Sequence, residues 1–442
     1  MFLKRLKIDA ANLECGMYVA QLDRPWLETP FLFQGFEIQD EKVLKQLRHF
    51  CRHVYVDATR GSVPKDKVLE VRRREDQYEK SLAIPATRLE HANRPSLRQR
   101  LFAAFIRLDS SGTLAGFFQT KHYRNVVPTD VEAPRAMLAY DTAAAVLGET
   151  LEQFQQGRGL DVVRLKSAVV PLIDSILRNH DAMAWLVCLR KREPERTQRS
   201  LGSAVWAVIL GRHLGFDRAG LETLALGGML LDLGNAKVPM EILAKEGSLD
   251  DVERTIVRKH VAVGLDLVKN TSGVNSAVIA MIQHHHERHD GSGYPKGLAG
   301  ADVPVFGRIA GLVDCFDAMT TKRPYASARS AYDAVRELNS ESGTSFQREL
   351  VEQFVQAVGM FPTGSLVELN TGQVALVIEQ NRVRRLRPKL MLLLDADKSP
   401  VSRHALLDLK AKPASDGEGP AYWIRRGLEP GAFGLDPKDY FG

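Results

Sequence analysis

The sequence predicts a mainly α-helical fold in which a helical bundle lies between a small N-terminal β-containing domain and a C-terminal β tail. From about residue 136 to residue 360, apolar residues recur at spacings of three and four, the period of one helix face. On either side of this range, short runs rich in β-branched and aromatic residues are bounded by glycine and charged residues, which is typical of strands. The change of period at both ends therefore divides the chain.

Four segments follow from this division. We expect an N-terminal β-containing regulatory module at 1–60, a basic linker with partial helix at 61–135, the helical domain at 136–360 and the β tail at 361–442. At 442 residues the chain exceeds the ~100 to 200 residues that are common for one domain. Two or three domains are expected.

Composition is that of an ordinary globular protein, with 44% hydrophobic and 26% charged residues. No run approaches the ~18 to 20 apolar residues of a membrane span, and the start lacks the apolar core of a signal peptide. We therefore expect a cytoplasmic protein without membrane contact. The cysteines have no metal-ligand spacing and are predicted to be core thiols rather than disulfides: Cys15, Cys51, Cys188 and Cys315.

The charge balance gives little reason to expect a nucleic-acid partner. The chain has 60 Lys and Arg against 54 Asp and Glu, a formal net charge of +6. Two basic runs, 70–76 and 381–389, could attract phosphates, but neither is interleaved with the aromatic residues on which single strands stack. A solvated surface or a linker is the favoured interpretation of both.

The predicted strands lie at the two ends of the chain. At the N-terminal end they are "GMYVAQ", "FQGFEI" and "HVYVDA". At the C-terminal end, "SLVELNTGQVALVIE" around an Asn370-Thr371-Gly372 turn predicts a hairpin, and "KLMLLLDA" predicts a further strand. These runs account for both β segments.

The predicted helices of the bundle include "VVRLKSAVVPLIDSILRN", "LGSAVWAVILGRHLG", "GLETLALGGMLLDLG" and "SLDDVERTIVRKHVAVGLDLVKN". In the last of these, Ser248 and Asp251 are predicted to cap the helix. Its predicted buried stripe consists of Val252, Ile256, Val263 and Leu267. His260 falls on this stripe and is expected to point inward.

A second helix brings further histidines to the interior. From Val278, steps of four and three lead through Ile282 to His285 and His286, which are predicted to face the bundle. His284 is rotated from His285 by about one hundred degrees and is predicted to lie outside.

A buried metal site is the preferred interpretation of these histidines over chance packing in the core. Inward imidazoles on two adjacent helices, with Asp232 and Asp314 on further helices, are the usual ligand set of a metal in a helical bundle. Mixed imidazole and carboxylate ligands favour iron, manganese or zinc over calcium or magnesium.

The stretch "HHHERHDGSGYPKGLAG", residues 284–300, resembles the signature of HD-GYP domains, a helical branch of the HD phosphohydrolases. The matching positions are His285, His286, Glu287, Asp290, Gly291, Gly293, Tyr294, Pro295, Gly297, Leu298 and Gly300. The later run "RIAGLVDCFDAMTTKRPY" is similar to the helix that carries the family's metal aspartate, here Asp314. The opening "LECGMYVAQLDRPWLETPFLFQGFEI" resembles a small uncharacterised domain that precedes a bacterial subset of the family, and the β tail resembles the one that follows.

The resemblance implies an HD-type helical core that cleaves cyclic di-GMP with two or three metal ions. One ion would be held by Asp232, His260, His285 and His286, and Asp314 would complete a second site. Implied ligand-binding residues are Asp290, Gly293, Tyr294, Pro295, Lys322 and Arg323. For Lys322 and Arg323, a surface pair without a ligand is an equal alternative. The Gly-Tyr-Pro loop is also an implied contact for diguanylate cyclase domains.

Three positions depart from the family pattern. Leu231 stands where the family has a histidine, Asn235 where a phosphate-contacting lysine is usual, and Arg199 where the opening histidine of an earlier helix belongs. Leucine has no lone pair and a guanidinium stays protonated, so neither side chain is a metal ligand. One bound ion is therefore expected rather than two or three.

Two classes of function stay open. In the first, the protein is a cyclic di-GMP sensor or adaptor with weak or no phosphodiesterase activity, which Arg199, Leu231 and Asn235 favour. In the second, a displaced ligand restores the other metal and the protein is an active phosphodiesterase that forms linear pGpG or GMP. A generic helical regulator whose histidines merely pack in the core is a third interpretation.

Arg199 itself has two interpretations. Asp232 and Asp314 without a metal between them would be neighbouring buried carboxylates that repel each other. A guanidinium could bridge them and replace the missing positive charge. Alternatively, Arg199 points to solvent from the start of its helix.

Overall fold

The structure is a computed structural model, and the residues it describes form two compact units that divide after Leu89. The described residues are 5–22, 36–57, 123–156, 158–189, 195–269, 271–321, 323, 327–381, 386–401, 404–409 and 422–435. Most of the predicted linker and Lys322 lie outside them. The predicted segment boundaries remain predictions.

The N-terminal unit is a four-stranded antiparallel sheet with one helix. Its elements are β1 (Arg5–Asp9), β2 (Tyr18–Leu22), β3 (Phe36–Glu37), α1 (Glu41–Phe50) and β4 (His53–Asp57), with the strands in the order β1-β4-β2-β3. The three predicted strands are confirmed as β2, β3 and β4, whereas β1 and α1 were not predicted. Asp40 caps α1 by accepting a hydrogen bond from the Val43 amide, and Leu44 and Leu47 are buried in the unit's core.

Helices form the main part of the second unit, which confirms the predicted fold class. They are α2 (Thr129–Gln155), α3 (Val162–Arg178), α4 (His180–Leu189), α5 (Glu195–Leu214), α6 (Arg218–Leu230), α7 (Met240–Leu243), α8 (Asp251–Arg258), α9 (His260–Lys269), α10 (Ser276–His284), α11 (Val305–Thr320), α12 (Ala331–Ser340) and α13 (Arg348–Val358). The first of them begins at Thr129, ahead of the bundle start predicted at about 136.

The bundle core is apolar and is filled by large side chains. Helices α5, α6, α10 and α11 pack against one another. Trp206 of α5 meets Phe316 of α11 edge to face, with ring centroids 5.2 Å apart, and both are fully buried. This packing fixes the ends of these helices relative to one another.

One predicted helix is in fact two. The run 248–270 is interrupted at Lys259, so α8 ends before it and α9 begins at His260. Asp250 and Glu253 form the capping box, not Ser248 and Asp251. Because one helical period does not extend across the break, the predicted buried stripe is wrong at Val252, which is 70% exposed.

A glycine permits the close contact that places α9. Asp232 is followed by a short 3-10 helix, Leu233–Lys237, that packs on α9. A Cβ atom on Gly234 would lie 1.9 Å from the His260 carbonyl oxygen, so a larger residue here would push α9 away. His260 and Asp232 therefore stay side by side.

The C-terminal tail is a five-stranded antiparallel sheet in the order β8-β7-β6-β5-β9. Its strands are β5 (Leu366–Leu369), β6 (Val374–Glu379), β7 (Lys389–Leu394), β8 (Leu406–Asp408) and β9 (Ile424–Leu428). The predicted hairpin is confirmed as β5 and β6, with Gly372 at φ +85° in its turn. The predicted strand "KLMLLLDA" is β7.

The cysteines are all free, as predicted, but not all are core thiols. Cys51 is buried, Cys188 and Cys315 are half-buried, and Cys15 is exposed, so the prediction for Cys15 was wrong. Across the described ranges, no helix is both long and apolar enough to cross a bilayer.

We expect the stability of the helical unit to depend on a buried ion pair between α2 and α3. Arg178 donates from Nε and Nη2 to the two carboxylate oxygens of Glu132 at 2.9 and 2.8 Å, and the Glu132 side chain is fully buried. Glu132→Ala leaves the guanidinium unpaired and should cost ~3 kcal/mol, measured by chemical denaturation. Glu149→Ala, which removes an exposed partner of Arg164, should change stability by less than ~1 kcal/mol. Equal effects of the two substitutions would contradict this.

Candidate functional site

Three imidazoles converge at the centre of the helical unit. His260 begins α9, while His285 and His286 follow the last turn of α10. One ring nitrogen from each lies within 4.8 Å of the others, so among the described residues these three histidines are the group that could hold a metal ion. The predicted inward orientation of all three histidines is thus confirmed.

Hydrogen bonds to the main chain set the tautomers of two of these rings. His260 Nδ1 lies 2.7 Å from the Val257 carbonyl, and His285 Nδ1 lies 2.8 Å from the Ile282 carbonyl. Since a carbonyl only accepts, both Nδ1 atoms carry the proton and both Nε2 atoms present a lone pair. The two Nε2 atoms are 3.3 Å apart.

Two lone pairs at that distance repel each other, and a cation between them removes the repulsion. Burial lowers the pKa of His285, as does neighbouring His260, so the neutral ring that a metal requires is the stable one. Burial also places the pKa of His286 well below its usual value. The donor set therefore fits one metal ion.

Asp232 borders this cluster on the side of the altered positions. Its Oδ1 is 3.6 Å from His260 Nε2, and its Oδ2 is 2.8 Å from Nη2 of Arg199. Desolvation alone would raise the pKa of Asp232, but the charge of Arg199, with His260, His285 and Arg323, lowers it to about 2. The carboxylate is therefore ionised and already paired.

Arg199 joins the two aspartates that the family's other ion would need. The same Nη2 that contacts Asp232 lies 3.2 Å from Asp314 Oδ1. The Arg199 side chain is only 20% exposed, so the alternative in which it points to solvent is wrong. A positive charge thus occupies the space between Asp232 and Asp314.

The other two altered positions offer no imidazole or carboxylate as a replacement ligand. Leu231 is buried in the apolar core. The side-chain oxygen of Asn235 is buried and has no hydrogen-bond partner within the described ranges. In the same part of the chain, no second group of three potential ligands occurs beside the histidine cluster.

A further carboxyl group, Asp317, was not predicted from the sequence. It lies one helical turn after Asp314 on α11 and is fully buried. Burial raises its pKa to about 7, Asp314 adds to the rise, and Arg199 opposes it. Its spacing of three from Asp314 was the available signal, since residues three apart share a helix face.

The Gly-Tyr-Pro loop is anchored by Glu287. This buried carboxylate accepts hydrogen bonds from the amides of Lys296 at 2.8 Å and Leu298 at 3.0 Å. Gly293 passes so close to the preceding turn that a Cβ atom would lie 2.4 Å from the His286 carbonyl oxygen. The loop therefore packs closely against the histidine cluster.

Tyr294 connects the loop directly to the cluster. Its ring stacks on that of His286 with centroids 4.6 Å apart and 23° between the planes. Burial raises the pKa of Tyr294 above its usual value, so the phenol stays neutral. Pro295 follows and is exposed.

The remaining predicted positions differ in burial and in their contacts. Asp290 is exposed and accepts hydrogen bonds from the amide and hydroxyl of Ser292. Arg323 is half-buried, and its charge lowers the pKa of both Asp232 and Asp317, so it lies near the carboxylates. His284, predicted to lie outside, is buried instead, because α11 covers that side of α10 and Gly307 packs against its Cβ.

Three family models match parts of this chain. Residues 182–350 match the HD domain, residues 5–165 match a domain of unknown function, DUF3391, and residues 366–414 match a KOW domain associated with HD domains. The chain is 28% identical over 397 residues to cyclic di-GMP phosphodiesterase PA4108 of Pseudomonas aeruginosa, covering 89% of this chain and 86% of that protein.

Two further similarities cover different shares of the chain. A cyclic di-GMP phosphodiesterase of Thermotoga maritima is 32% identical over 148 residues, which is 33% of this chain and 40% of that protein. The solved structure of Bd1817, an HDG"Y"P protein from Bdellovibrio bacteriovorus, superposes with a TM-score of 0.43 at 16% identity over 79% of this chain and 98% of that one. The chain therefore carries an HD domain with the DUF3391 domain ahead of it, and it is similar to proteins named cyclic di-GMP phosphodiesterases.

Proposed function

We propose that this protein is a cyclic di-GMP sensor or adaptor that hydrolyses the nucleotide weakly or not at all. One observation carries the proposal: Arg199 lies between Asp232 and Asp314, where a catalytic pair of ions would need an open position. The relative named cyclic di-GMP phosphodiesterase PA4108, which is similar along most of this chain, supports the choice of nucleotide. A cytoplasmic location, expected from the sequence, is part of the proposal.

A single divalent iron, manganese or zinc ion would be held by His260, His285 and His286 together with Asp232. Such an ion supplies Lewis acidity to a bound water or phosphate oxygen. Asp314 is the remnant of the other site, because the positions at 199 and 231 bring no imidazole to it. The two-ion clamp that stabilises charge on an attacked phosphate is therefore lost.

The residues of the chain itself would bind and orient the nucleotide. Arg323 provides a positive charge beside the carboxylates and, with Lys322, would approach a phosphate. Asp290, Gly293, Tyr294 and Pro295 would shape the mouth of the site. The exposed side of this loop, anchored from beneath by Glu287, is our proposed contact for a diguanylate cyclase domain.

An active metal-dependent phosphodiesterase, giving linear pGpG or GMP, is the second candidate. It is favoured by the intact set of Asp232, His260, His285 and His286, together with Asp314 and the complete loop. In that case Arg199 would have to leave the two aspartates when a second ion enters. The substitutions below distinguish the two candidates.

We predict one transition metal per chain and its loss in the His260→Ala variant. That substitution removes an imidazole whose lone pair is already oriented by the Val257 carbonyl, which should weaken metal affinity by ~10- to 100-fold. Elemental analysis of the purified proteins measures both quantities. His213→Ala, near the far end of α5, is the matched control and should retain the ion. Two ions per chain in the unaltered protein would contradict the proposed count.

Restoring the two missing imidazoles should restore catalysis. The double variant Arg199→His with Leu231→His is expected to bind a second ion and to cleave cyclic di-GMP at least ~100-fold faster than the unaltered protein, since both ions then share the phosphate charge. Chromatographic detection of the linear dinucleotide measures the rate, and each single variant serves as a control. Should the unaltered protein already match the double variant, the active phosphodiesterase is the correct function.

Removing Arg199 should destabilise the protein, and more so at neutral than at acidic pH. The lowered pKa of Asp232 means that its contribution is present above the ordinary carboxyl value of ~4 and is lost as the pH falls toward 2. The raised pKa of Asp317 means that stability falls as the pH rises from the ordinary carboxyl value of ~4 to about 7, and the charge of Arg199 offsets part of this cost.

Thermal unfolding of metal-free Arg199→Ala at pH 4 and pH 7.5 tests this. We expect a fall in Tm of several degrees at the higher pH and a smaller one at pH 4, where less carboxylate charge is left uncompensated. Arg254→Ala, which removes an exposed arginine of α8, is the control and should change Tm little at either pH. A Tm unchanged in Arg199→Ala would show that Arg199 does not substitute for a metal.

A further inference from the structure

Arg258, at the last position of α8, forms the outer member of a stack that begins at the metal-binding cluster. The Tyr294 ring lies on His286 at 4.6 Å, and the guanidinium carbon of Arg258 lies 4.7 Å from the centroid of the same Tyr294 ring. Two groups at these distances cannot share one face of a ring, so Arg258 covers the face of Tyr294 that His286 does not. The order is therefore His286, Tyr294, Arg258.

The guanidinium of Arg258 has N–H donors that are available to a ligand. Within the described ranges it makes no hydrogen bond and no ion pair, and the residue is exposed. The N–H groups of a guanidinium lie in one plane, so an arginine placed over an aromatic ring can still donate hydrogen bonds to a ligand beside that ring. Arg258 thus presents a planar fork of N–H donors beside Tyr294.

Arg258 lies apart from Arg323, the residue proposed to approach a phosphate. Arg323 lies near Asp232 and Asp317, whose pKa values it lowers, whereas Arg258 is removed from His286 by the full thickness of the Tyr294 ring. A base that extends past Tyr294 from a phosphate at the histidine cluster would reach Arg258. Arg258 is therefore placed to meet a base edge.

Among the bases, guanine fits a fork of donors. Its O6 and N7 atoms are two adjacent acceptors that arginine pairs with bidentately, while adenine presents an acceptor beside a donor. Because the Arg258 guanidinium is already placed over Tyr294, its side chain loses less conformational freedom when it pairs with a base. The geometry thus favours guanine over adenine at this position.

We propose that Arg258 is a specificity-determining residue that reads the O6 and N7 edge of a guanine base in a bound cyclic dinucleotide. Tyr294 holds the Arg258 fork in position by stacking. The inference rests on the proposed function, because it takes the bound nucleotide to have its phosphate at the histidine cluster. It adds to that function the means by which the base is selected.

The test compares base preference rather than affinity alone. The Mn²⁺-loaded full chain and its variants are titrated by calorimetry with cyclic di-GMP, 3′3′-cGAMP and cyclic di-AMP. In Arg258→Ala, we expect the affinity for cyclic di-GMP to fall by ~10- to 100-fold, with a smaller fall for 3′3′-cGAMP and almost none for cyclic di-AMP. Arg258→Lys keeps the charge but not the fork and should also lose most of the preference.

Lys259→Ala is the matched control, because it removes the same charge from the adjacent exposed residue, which makes no contact with Tyr294 in the described structure. It should keep the preference of the unaltered protein. The metal content of every variant is measured in parallel, and we expect it to be unchanged.

Several results would overturn the proposal. An unchanged preference in Arg258→Ala would do so, and an equal loss for all three nucleotides would show that Arg258 contributes only charge. Loss of the ion in Arg258→Ala would show that it acts by positioning His286 instead. These outcomes leave the proposed function standing, whereas an unaltered protein that binds none of the three nucleotides overturns both.

Discussion

The contact of one guanidinium with two aspartates is the constraint on which the arrangement of the site depends. Asp232 and Asp314 come from different elements of the helical unit and approach each other in its interior, where two carboxylates without a cation would repel strongly. Arg199 supplies the cation from α5 and so links three parts of the bundle. Asp317 behind them, with a pKa raised to about 7, shows how costly a carboxylate becomes at this depth.

The neighbouring histidine cluster is organised in the opposite electrostatic sense. There, two lone pairs face each other across 3.3 Å because the main chain takes the protons of both Nδ1 atoms. On the aspartate side a guanidinium of the chain pairs with both carboxylates, whereas the two facing lone pairs on the histidine side fit an ion. This asymmetry is the physical basis for proposing one metal where the family pattern has more.

The Gly-Tyr-Pro loop lies against the same site. Glu287 anchors the loop by accepting hydrogen bonds from two main-chain amides, and the Tyr294 ring stacks on that of His286. The loop and the histidine cluster are therefore in direct contact. Arg258, which lies over Tyr294, extends this row of contacts to the surface of α8.

Local pattern was enough for much of the fold. The alternation of helical and strand periods predicted the bundle, the two flanking sheets and the β5–β6 turn, because those signals depend on neighbouring residues alone. Failures came where a distant element intervened. After the break at Lys259, α9 packs closely on Gly234. His284 is buried by α11, on a face of α10 that α10 alone would leave exposed.

The sequence by itself determined which residues are chemically able to act. It showed three inward histidines, two aspartates, the loop signature, and an arginine and a leucine where ligands were expected. Only the tertiary structure decided what Arg199 does, since whether a long side chain faces solvent or a carboxylate depends on how three helical segments meet. The same holds for Arg258, whose partner ring lies far along the chain and reaches it only after the loop folds back over the cluster.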